Sequence, residues 1–203
     1  MNSSPQSPVP RLCGDGGQNG AANPLDVIRY EHELQNRMCD ALERIADGLP
    51  DIVDRNLVTA ILPMVQHDLV IHVLDEEDGL FPLMQERVVP EDNFDAVLDT
   101  LCLEHAADQG FAEELVDELE LLKARGRPAN PDMLGYMLRG FFEAQRRHLA
   151  WENAVVLPLA HARLTVLDLK SLARVMLDNR KIRHPKLVRP SAVLFQFDGG
   201  TTP

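Results

Sequence analysis

Six residues of types that commonly bind metals occur where helical spacing would place apolar side chains in this 203-residue chain. They are His32, His72, Glu76, His105, His148 and Glu152. His72 and Glu76 are four residues apart, as are His148 and Glu152, which puts both side chains of each pair on one helix face. An imidazole or a carboxylate inside a bundle core costs several kcal/mol unless it is paired or bound to metal. The pattern therefore predicts a buried metal site.

An internal repeat relates these residues to one another. A shift of 76 residues lays residues 72–76 onto 148–152, and a proline follows each glutamate six residues later. A shift of 73 residues lays Glu31-His32 onto Glu104-His105. Each half is thus predicted to be a helical hairpin, with Glu-His on its first helix and His-x-x-x-Glu on its second. Two such hairpins related by a pseudo-twofold axis would bring all six side chains together midway along the bundle.

The donor set of this predicted site favours two first-row transition ions. Each ion would receive two neutral imidazoles, and the carboxylates of Glu76 and Glu152 would bridge both ions. Imidazole and carboxylate without thiolate favour iron, manganese or zinc over copper(I) or an iron–sulfur cluster. Ferritin-like di-iron sites use Glu-x-x-His with two further glutamates, so the order and spacing found here exclude that type of site.

Four long helices are predicted to position these side chains, at about residues 24–47, 51–87, 92–123 and 131–164. Asn23-Pro24 and Asn130-Pro131 each supply an N-cap and a proline at the first helical position, and Pro63 is expected to kink the second helix. Short loops favour antiparallel neighbours, so the predicted fold is all-α, an antiparallel up-down four-helix bundle with a short extra C-terminal helix. The predicted organisation is a disordered leader at 1–22, the bundle at 23–164, and a short helix with a basic irregular tail at 165–203.

Residues near the six have predicted supporting roles. Glu31, Glu104 and Asp108 are either hydrogen-bond acceptors for ligand imidazoles or solvated, whereas Glu77 is predicted to be surface charge and His67 a flanking polar residue. Beyond the two glutamates, the predicted buried stripes continue through Leu80 and Leu83 in the second helix and through Val155 and Leu159 in the fourth. Cys39 and Cys102 are expected to be small buried hydrophobic residues.

Charge and composition narrow the classes of partner. The net charge of −12 divides into −17 for residues 1–160 and +5 for residues 161–203. An acidic chain lacks the cationic face that nucleic acids need, and no apolar run reaches the roughly 18 residues of a membrane span, so neither partner is expected. Three widely spaced cysteines favour reduced thiols in the cytoplasm. The basic tail is either a segment lying against the acidic bundle or a surface for a protein partner.

The residues that carry a family resemblance are Glu31-His32, His72-x-x-x-Glu76 followed by Leu80-Phe81-Pro82, Glu104-His105, and His148-x-x-x-Glu152 followed by Leu157-Pro158. In combination they resemble hemerythrin-like proteins of the His-His-Glu cation-binding family, in the bacterial branch that includes iron–sulfur-cluster repair proteins. The resemblance implies two non-haem iron ions joined by an oxide or hydroxide and bridged by carboxylates. It also implies terminal ligation by the four histidines and bridging by Glu76 and Glu152.

Oxygen-carrying members of the family have a fifth histidine one turn from the position of His105, where this chain has Leu101 and Gln109. The loss of that ligand predicts easier oxidation and poorer reversible O₂ storage. The leading hypothesis is a cytoplasmic di-iron protein that binds O₂ or NO or senses redox state, with no catalytic residues assigned. The alternatives are an enzyme that reduces peroxide or NO, and an iron donor in iron–sulfur-cluster repair. A repair role would call for accessory cysteines, of which only Cys13 lies in a segment predicted to be mobile.

Overall fold

The computed structural model describes residues 23–183. Within them the chain forms five helices: α1 Pro24–Gly48, α2 Arg55–Gln85, α3 Phe94–Arg125, α4 at residues 131–163, and α5 Val166–Arg183. No strand occurs between residues 23 and 183, and the all-α prediction is confirmed. The predicted leader at 1–22 and the predicted tail from residue 184 onward lie outside the described residues.

Helix ends mostly follow the predicted local signals. Asn23 and Asn130 each accept a hydrogen bond at 3.1 Å from a backbone N–H of the first turn of the helix they cap. The start of α2 is later than predicted, because Asp54 caps a helix that begins at Arg55. The end of α3 is Gly126, whose φ of 73° lies in the left-handed region that glycine adopts without strain.

Helices α1 to α4 form a closed bundle in which each helix packs against the next and α4 packs against α1. Ion pairs show the antiparallel direction of α1 and α4, since Asp47 pairs with Arg139 at 3.0 Å and Asp40 pairs with Arg146 at 2.6 Å. The start of α2 lies beside the end of α3, where the Arg55 side chain donates to the Lys123 carbonyl at 2.8 Å. This is the up-down arrangement that the short loops predict.

Helices α2 and α4 contain π-helical turns that regular helical spacing does not anticipate. They lie at Met64–Asp68, directly after Pro63, and at Glu76–Leu80 and Glu152–Val156. A π-helical turn holds one extra residue, so the side chains that follow it face a different direction. The predicted stripes are therefore wrong by one residue at Leu83 in α2 and from Val155 onward in α4, whereas Leu80 is buried as predicted. Met84, Val156 and Ala160 are buried, whereas the predicted Leu83, Val155 and Leu159 are only half-buried.

Two apolar clusters fill the bundle on either side of a polar layer. One cluster includes Leu34, Leu69, Leu115 and Phe142. The other includes Ile28, Leu80, Leu101 and Val156. On every bundle helix the predicted metal-site histidine lies in the chain between a residue of one cluster and a residue of the other. The six polar side chains therefore lie midway along the bundle.

Helix α5 packs across α1 and α2, with Leu172 and Met176 fully buried. It begins with reciprocal capping between Thr165 and Asp168, whose carboxylate also accepts two hydrogen bonds of 2.9 Å from Arg87. The helix continues to Arg183 and so takes up 18 residues of the predicted segment 165–203. Part of the basic C-terminal segment is therefore a packed helix of the fold.

Helix α2 meets the length and composition test for a membrane-crossing helix, and 44% of the tested window is buried inside the fold. Core helices of helical bundles meet the same test because they are apolar on more than one side. In α2 the buried polar residues His72 and Glu76 face the polar layer shared by all four bundle helices.

Candidate metal centre

Two overlapping groups of side chains form the polar layer. The first, which we call the His32/His72 position, contains His32, His72, Glu76 and Glu152. The second, the His105/His148 position, contains His105, His148 and the same two glutamates. Within each group the four potential ligand atoms lie within 4.8 Å of one another. The structure thus brings together all six residues selected from the sequence; that they bind metal remains a prediction.

The two glutamates each turn one carboxylate oxygen towards each position. Oε1 of Glu76 lies 3.7 Å from His32 Nε2 and 3.5 Å from His72 Nε2, while its Oε2 lies 3.5 Å from His105 Nε2. Oε2 of Glu152 lies 3.4 Å from His32 Nε2, while its Oε1 lies 3.2 Å from His148 Nε2. This is the orientation that a carboxylate needs to bridge two cations.

Six inward-facing polar atoms of this layer are buried without a hydrogen-bond partner, whereas the Nε2 atoms of His105 and His148 lie 3.1 Å apart. The exposed fractions of His32, Glu76 and Glu152 are 1%, 1% and 0%. The Nε2 atoms of His32 and His72 and all four oxygens of the two glutamates have no hydrogen-bond partner. Because buried polar atoms are nearly always satisfied, six orphaned donor atoms converging at two points fit a pair of bound cations.

The pKa values of the two glutamates are consistent with a site for bound cations. Burial and the neighbouring Glu152 carboxylate raise the pKa of Glu76 well above its usual value. Burial alone would raise the pKa of Glu152, but the close contact of His148 at 3.2 Å and the positive charges of His148, His32 and His72 outweigh it and lower this pKa to about 2. Two carboxylates this close in an apolar interior repel one another, and bound cations would remove that repulsion.

Each of the four histidines is held through its other ring nitrogen, Nδ1. His72 Nδ1 lies 3.2 Å from Glu31 Oε2, and His148 Nδ1 lies 2.8 Å from Glu104 Oε2. His105 Nδ1 lies 2.9 Å from Glu77 Oε1, and His32 Nδ1 lies 3.0 Å from Asn153 Oδ1. An acceptor at Nδ1 keeps the proton there, so that Nε2 is free to bind a cation.

These contacts settle the predictions for the neighbouring residues. Glu31 and Glu104 accept hydrogen bonds from imidazoles of the polar layer. Asp108 is half-buried and does not have this role, because all four Nδ1 atoms contact other residues. Glu77 is exposed, as predicted for a surface charge, but its side chain also holds His105, a role that was not predicted. Sequence reasoning also missed Asn153. The 76-residue repeat contained the signal, since it aligns Glu77 with Asn153 directly after each bridging glutamate.

Two buried glutamines were likewise not anticipated. Gln35 lies one turn after His32 and Gln145 lies one turn before His148, with exposed fractions of 5% and 7%. Since α1 and α4 are antiparallel, both glutamines lie on the same side of the polar layer. Gln35 Nε2 and Gln145 Oε1 have no hydrogen-bond partner. Each glutamine therefore leaves an unpartnered polar atom buried one turn from a histidine of the polar layer.

The remaining polar residues considered from sequence do not join the site. His67 and Gln109 are exposed and belong to neither group of potential ligands among the described residues. Cys39 is buried, and burial raises the pKa of its thiol to about 12. Burial also raises the pKa of the half-buried Cys102. Neither thiol is activated as a nucleophile.

Helix α5 reaches the site through Arg180. This guanidinium donates to Glu31 Oε1, the oxygen opposite the one that contacts His72, and it also donates to the buried Asp75 at 2.6 Å. A residue predicted to belong to a basic tail is thus an internal ion-pair partner behind a metal-site histidine. Sequence spacing could not reveal this contact because Glu31 and Arg180 are 149 residues apart.

Comparison with known protein families matches residues 23–160 to the model described as Hemerythrin HHE cation binding domain. The match covers the whole polar layer and ends before α5 begins at Val166. A search of curated proteins finds no match.

Proposed function

The chain belongs to the hemerythrin HHE cation-binding family, and on this premise we propose that it is a non-haem di-iron protein that binds O₂ or NO or senses redox state. The observation that carries the proposal is the orientation of Glu76 and Glu152, each of which turns one oxygen to each histidine pair. Two positions that share two carboxylates favour a coupled pair of ions over two independent ones.

The donor set supports iron and an open site. Each position offers two imidazole nitrogens and two carboxylate oxygens, a set suited to iron, and four protein donors leave room for an exogenous ligand. When bound, the iron pair would supply the redox chemistry and the coordination positions for O₂ or NO. The protein's own contribution is to hold the histidines in one tautomer, to keep the site between two apolar clusters, and to place Gln35 nearby.

Other parts of the proposal concern partners and location. We propose small diatomic ligands or peroxide as the binding partners, because the polar layer is enclosed by side chains of the bundle. A cytoplasmic location is proposed from the cysteine pattern, and it is consistent with Cys39 and Cys102 being free.

The decisive experiment combines metal quantitation with an optical spectrum of the oxidised full-length protein, before and after addition of azide. We expect close to two irons per chain, one for each group of potential ligands, and a spectrum that changes with azide. Zinc as the sole native metal would overturn the di-iron proposal. Two irons with no response to azide would overturn the open coordination position.

A second measurement separates a binder from an enzyme. The reduced protein is mixed with peroxide or with NO, and consumption is followed over many equivalents. Stoichiometric reaction supports a binder or sensor. Multiple turnovers would establish instead a peroxide- or NO-reducing enzyme, and transfer of iron to an apo iron–sulfur protein would establish an iron donor.

A further inference from the structure

The two cation positions differ in the groups behind their histidines. At the His105/His148 position both Nδ1 atoms contact carboxylates, those of Glu77 and Glu104. At the His32/His72 position one Nδ1 atom contacts the neutral amide of Asn153. The bridging glutamates belong to both positions equally, so the asymmetry lies in this outer layer of contacts.

The other histidine of the His32/His72 position does contact a carboxylate, but an arginine neutralises that carboxylate. Glu31, which contacts His72, has its other oxygen bound by Arg180 of α5. Arg180 also binds Asp75, so one guanidinium serves two carboxylates. Among the described residues, no comparable arginine or lysine contact is made to Glu77 or Glu104.

The reason for the one-sided contact is the packing of α5. This helix crosses the π-helical turn Glu76–Leu80, where a Cβ on Gly79 would meet Leu172 Cδ1 at 2.8 Å. The equivalent residue in the second half, 76 positions later, is Val155. Only the first half therefore has the glycine that lets α5 approach closely enough to place Arg180 behind Glu31.

We infer that the two cation positions are inequivalent and that the His105/His148 position binds its cation more tightly and fills first. This inference rests on the proposed di-metal function. A carboxylate at Nδ1 makes an imidazole a stronger donor than an amide does, and an arginine on that carboxylate reduces the effect. Changes in such outer contacts commonly alter metal affinity by about tenfold to a hundredfold, so a preference of about tenfold is expected.

The test uses Co²⁺ as the probe and the full-length protein freed of metal. Crystals are grown with sub-stoichiometric Co²⁺, and the anomalous peaks at the two positions are compared. The wild type should show a peak about tenfold stronger at the His105/His148 position. Equal peaks, or a stronger peak at the His32/His72 position, would overturn the inference.

Variants test the cause. Glu77→Asn combined with Asn153→Glu exchanges two exposed residues at equivalent positions of the repeat and should reverse or abolish the preference. Arg180→Ala should raise the relative occupancy of the His32/His72 position. Asp78→Asn, the neighbouring exposed carboxylate, is the matched control and should leave the preference unchanged. An exchange variant that keeps the wild-type preference would overturn the assigned cause.

A saturation experiment separates this inference from the proposed function. At excess Co²⁺ both positions should fill. If neither fills, or only one ever does, the di-metal proposal fails together with the inference. If both fill but with equal affinity, the di-metal proposal stands and only the inequivalence fails.

Discussion

Glu76 and Glu152 each begin a π-helical turn, at positions 76 residues apart in the chain. In both helices the residue that follows the glutamate reaches across the bundle to hold a histidine of the other half, since Glu77 contacts His105 and Asn153 contacts His32. The repeated irregularity thus places a bridging carboxylate and an imidazole acceptor in consecutive residues. π-Helical turns are frequent at functional sites.

Removing a bridging carboxylate should lower metal content. Glu76→Ala and Glu152→Ala each delete one oxygen from both positions, so we expect at least one ion per chain to be lost after desalting. Metal analysis by mass spectrometry gives the content, with Asp78→Ala as the exposed control on the same turn. Glu77→Ala should have an intermediate effect because it holds His105 without facing the cations. Equal metal content in all four variants would contradict the assignment of the bridges.

Removing the metal should lower thermal stability. Without cations, six polar donor atoms remain buried and unpartnered in the core. A ligand present at a thousand times its dissociation constant stabilises a fold by about 4 kcal/mol, so the midpoint of unfolding should fall by several degrees in chelator. Calorimetry with and without chelator measures the difference, and Glu152→Ala should show a smaller one. A midpoint that does not respond to chelator in the wild type would contradict a central metal site.

Gln35 should affect the exogenous ligand more than the metal. Its Nε2 is a buried donor without a partner, one turn from His32. Gln35→Leu keeps the size of the side chain and deletes a hydrogen bond worth about 1 kcal/mol, so azide binding should weaken roughly fivefold while metal content stays constant. Optical titration measures the affinity. The control is Gln109→Leu, one turn from His105 but exposed; equal effects of the two variants would remove Gln35 from the ligand site.

Gly79 should be required for the packing of α5. A Cβ there would lie 2.8 Å from Leu172 Cδ1 and 3.3 Å from Val175 Cγ1, so Gly79→Val should destabilise the fold by about 1–3 kcal/mol. Gly110→Ala is the matched control in α3, because no atom lies within 4 Å of a Cβ built there. It should stabilise the helix by about 0.5–1 kcal/mol. Urea unfolding measures both changes, and a neutral Gly79→Val would show that α5 does not depend on this close approach.

Asp168 should contribute to stability in a pH-dependent way. Hydrogen bonds from Arg87 and then from Thr165 hold the pKa of its carboxyl below the usual value of 3.8. A lowered pKa in the folded state means that the contribution is fully present above pH 3.8 and is lost as the pH falls further towards the folded-state pKa. The stability difference between wild type and Asp168→Asn should therefore be constant from pH 7 to about pH 4 and shrink below it. A difference that grows on acidification would show that the ion pair is not the source.

Most of the fold and all six candidate ligands follow from local patterns in the sequence. Asn-Pro caps and helical periodicity predict the four bundle helices to within a few residues, because capping and amphipathic spacing act over single turns. The histidines and glutamates stand out because a polar residue in an otherwise apolar stripe has a large energetic cost. The burial of His32 and Glu152 needed no knowledge of their neighbours in space.

The register beyond the glutamates could not be predicted in this way. Each π-helical turn adds one residue, so a stripe extended at 3.6 residues per turn selects Val155 where the structure buries Val156. The contact of Asn153 was equally hidden, because Asn153 and His32 come from opposite ends of the chain and meet only when α1 packs against α4.

By itself, therefore, the sequence determined the all-α bundle, the repeat and the set of polar residues at its centre, since each depends on spacing within one helix or between equivalent helices. Only the tertiary structure decided which side chains hold those histidines and that Arg180 reaches Glu31 on one side alone. Such contacts depend on the relative placement of whole helices. For Arg180, the placement of α5 depends on one close approach, where Gly79 leaves room for Leu172.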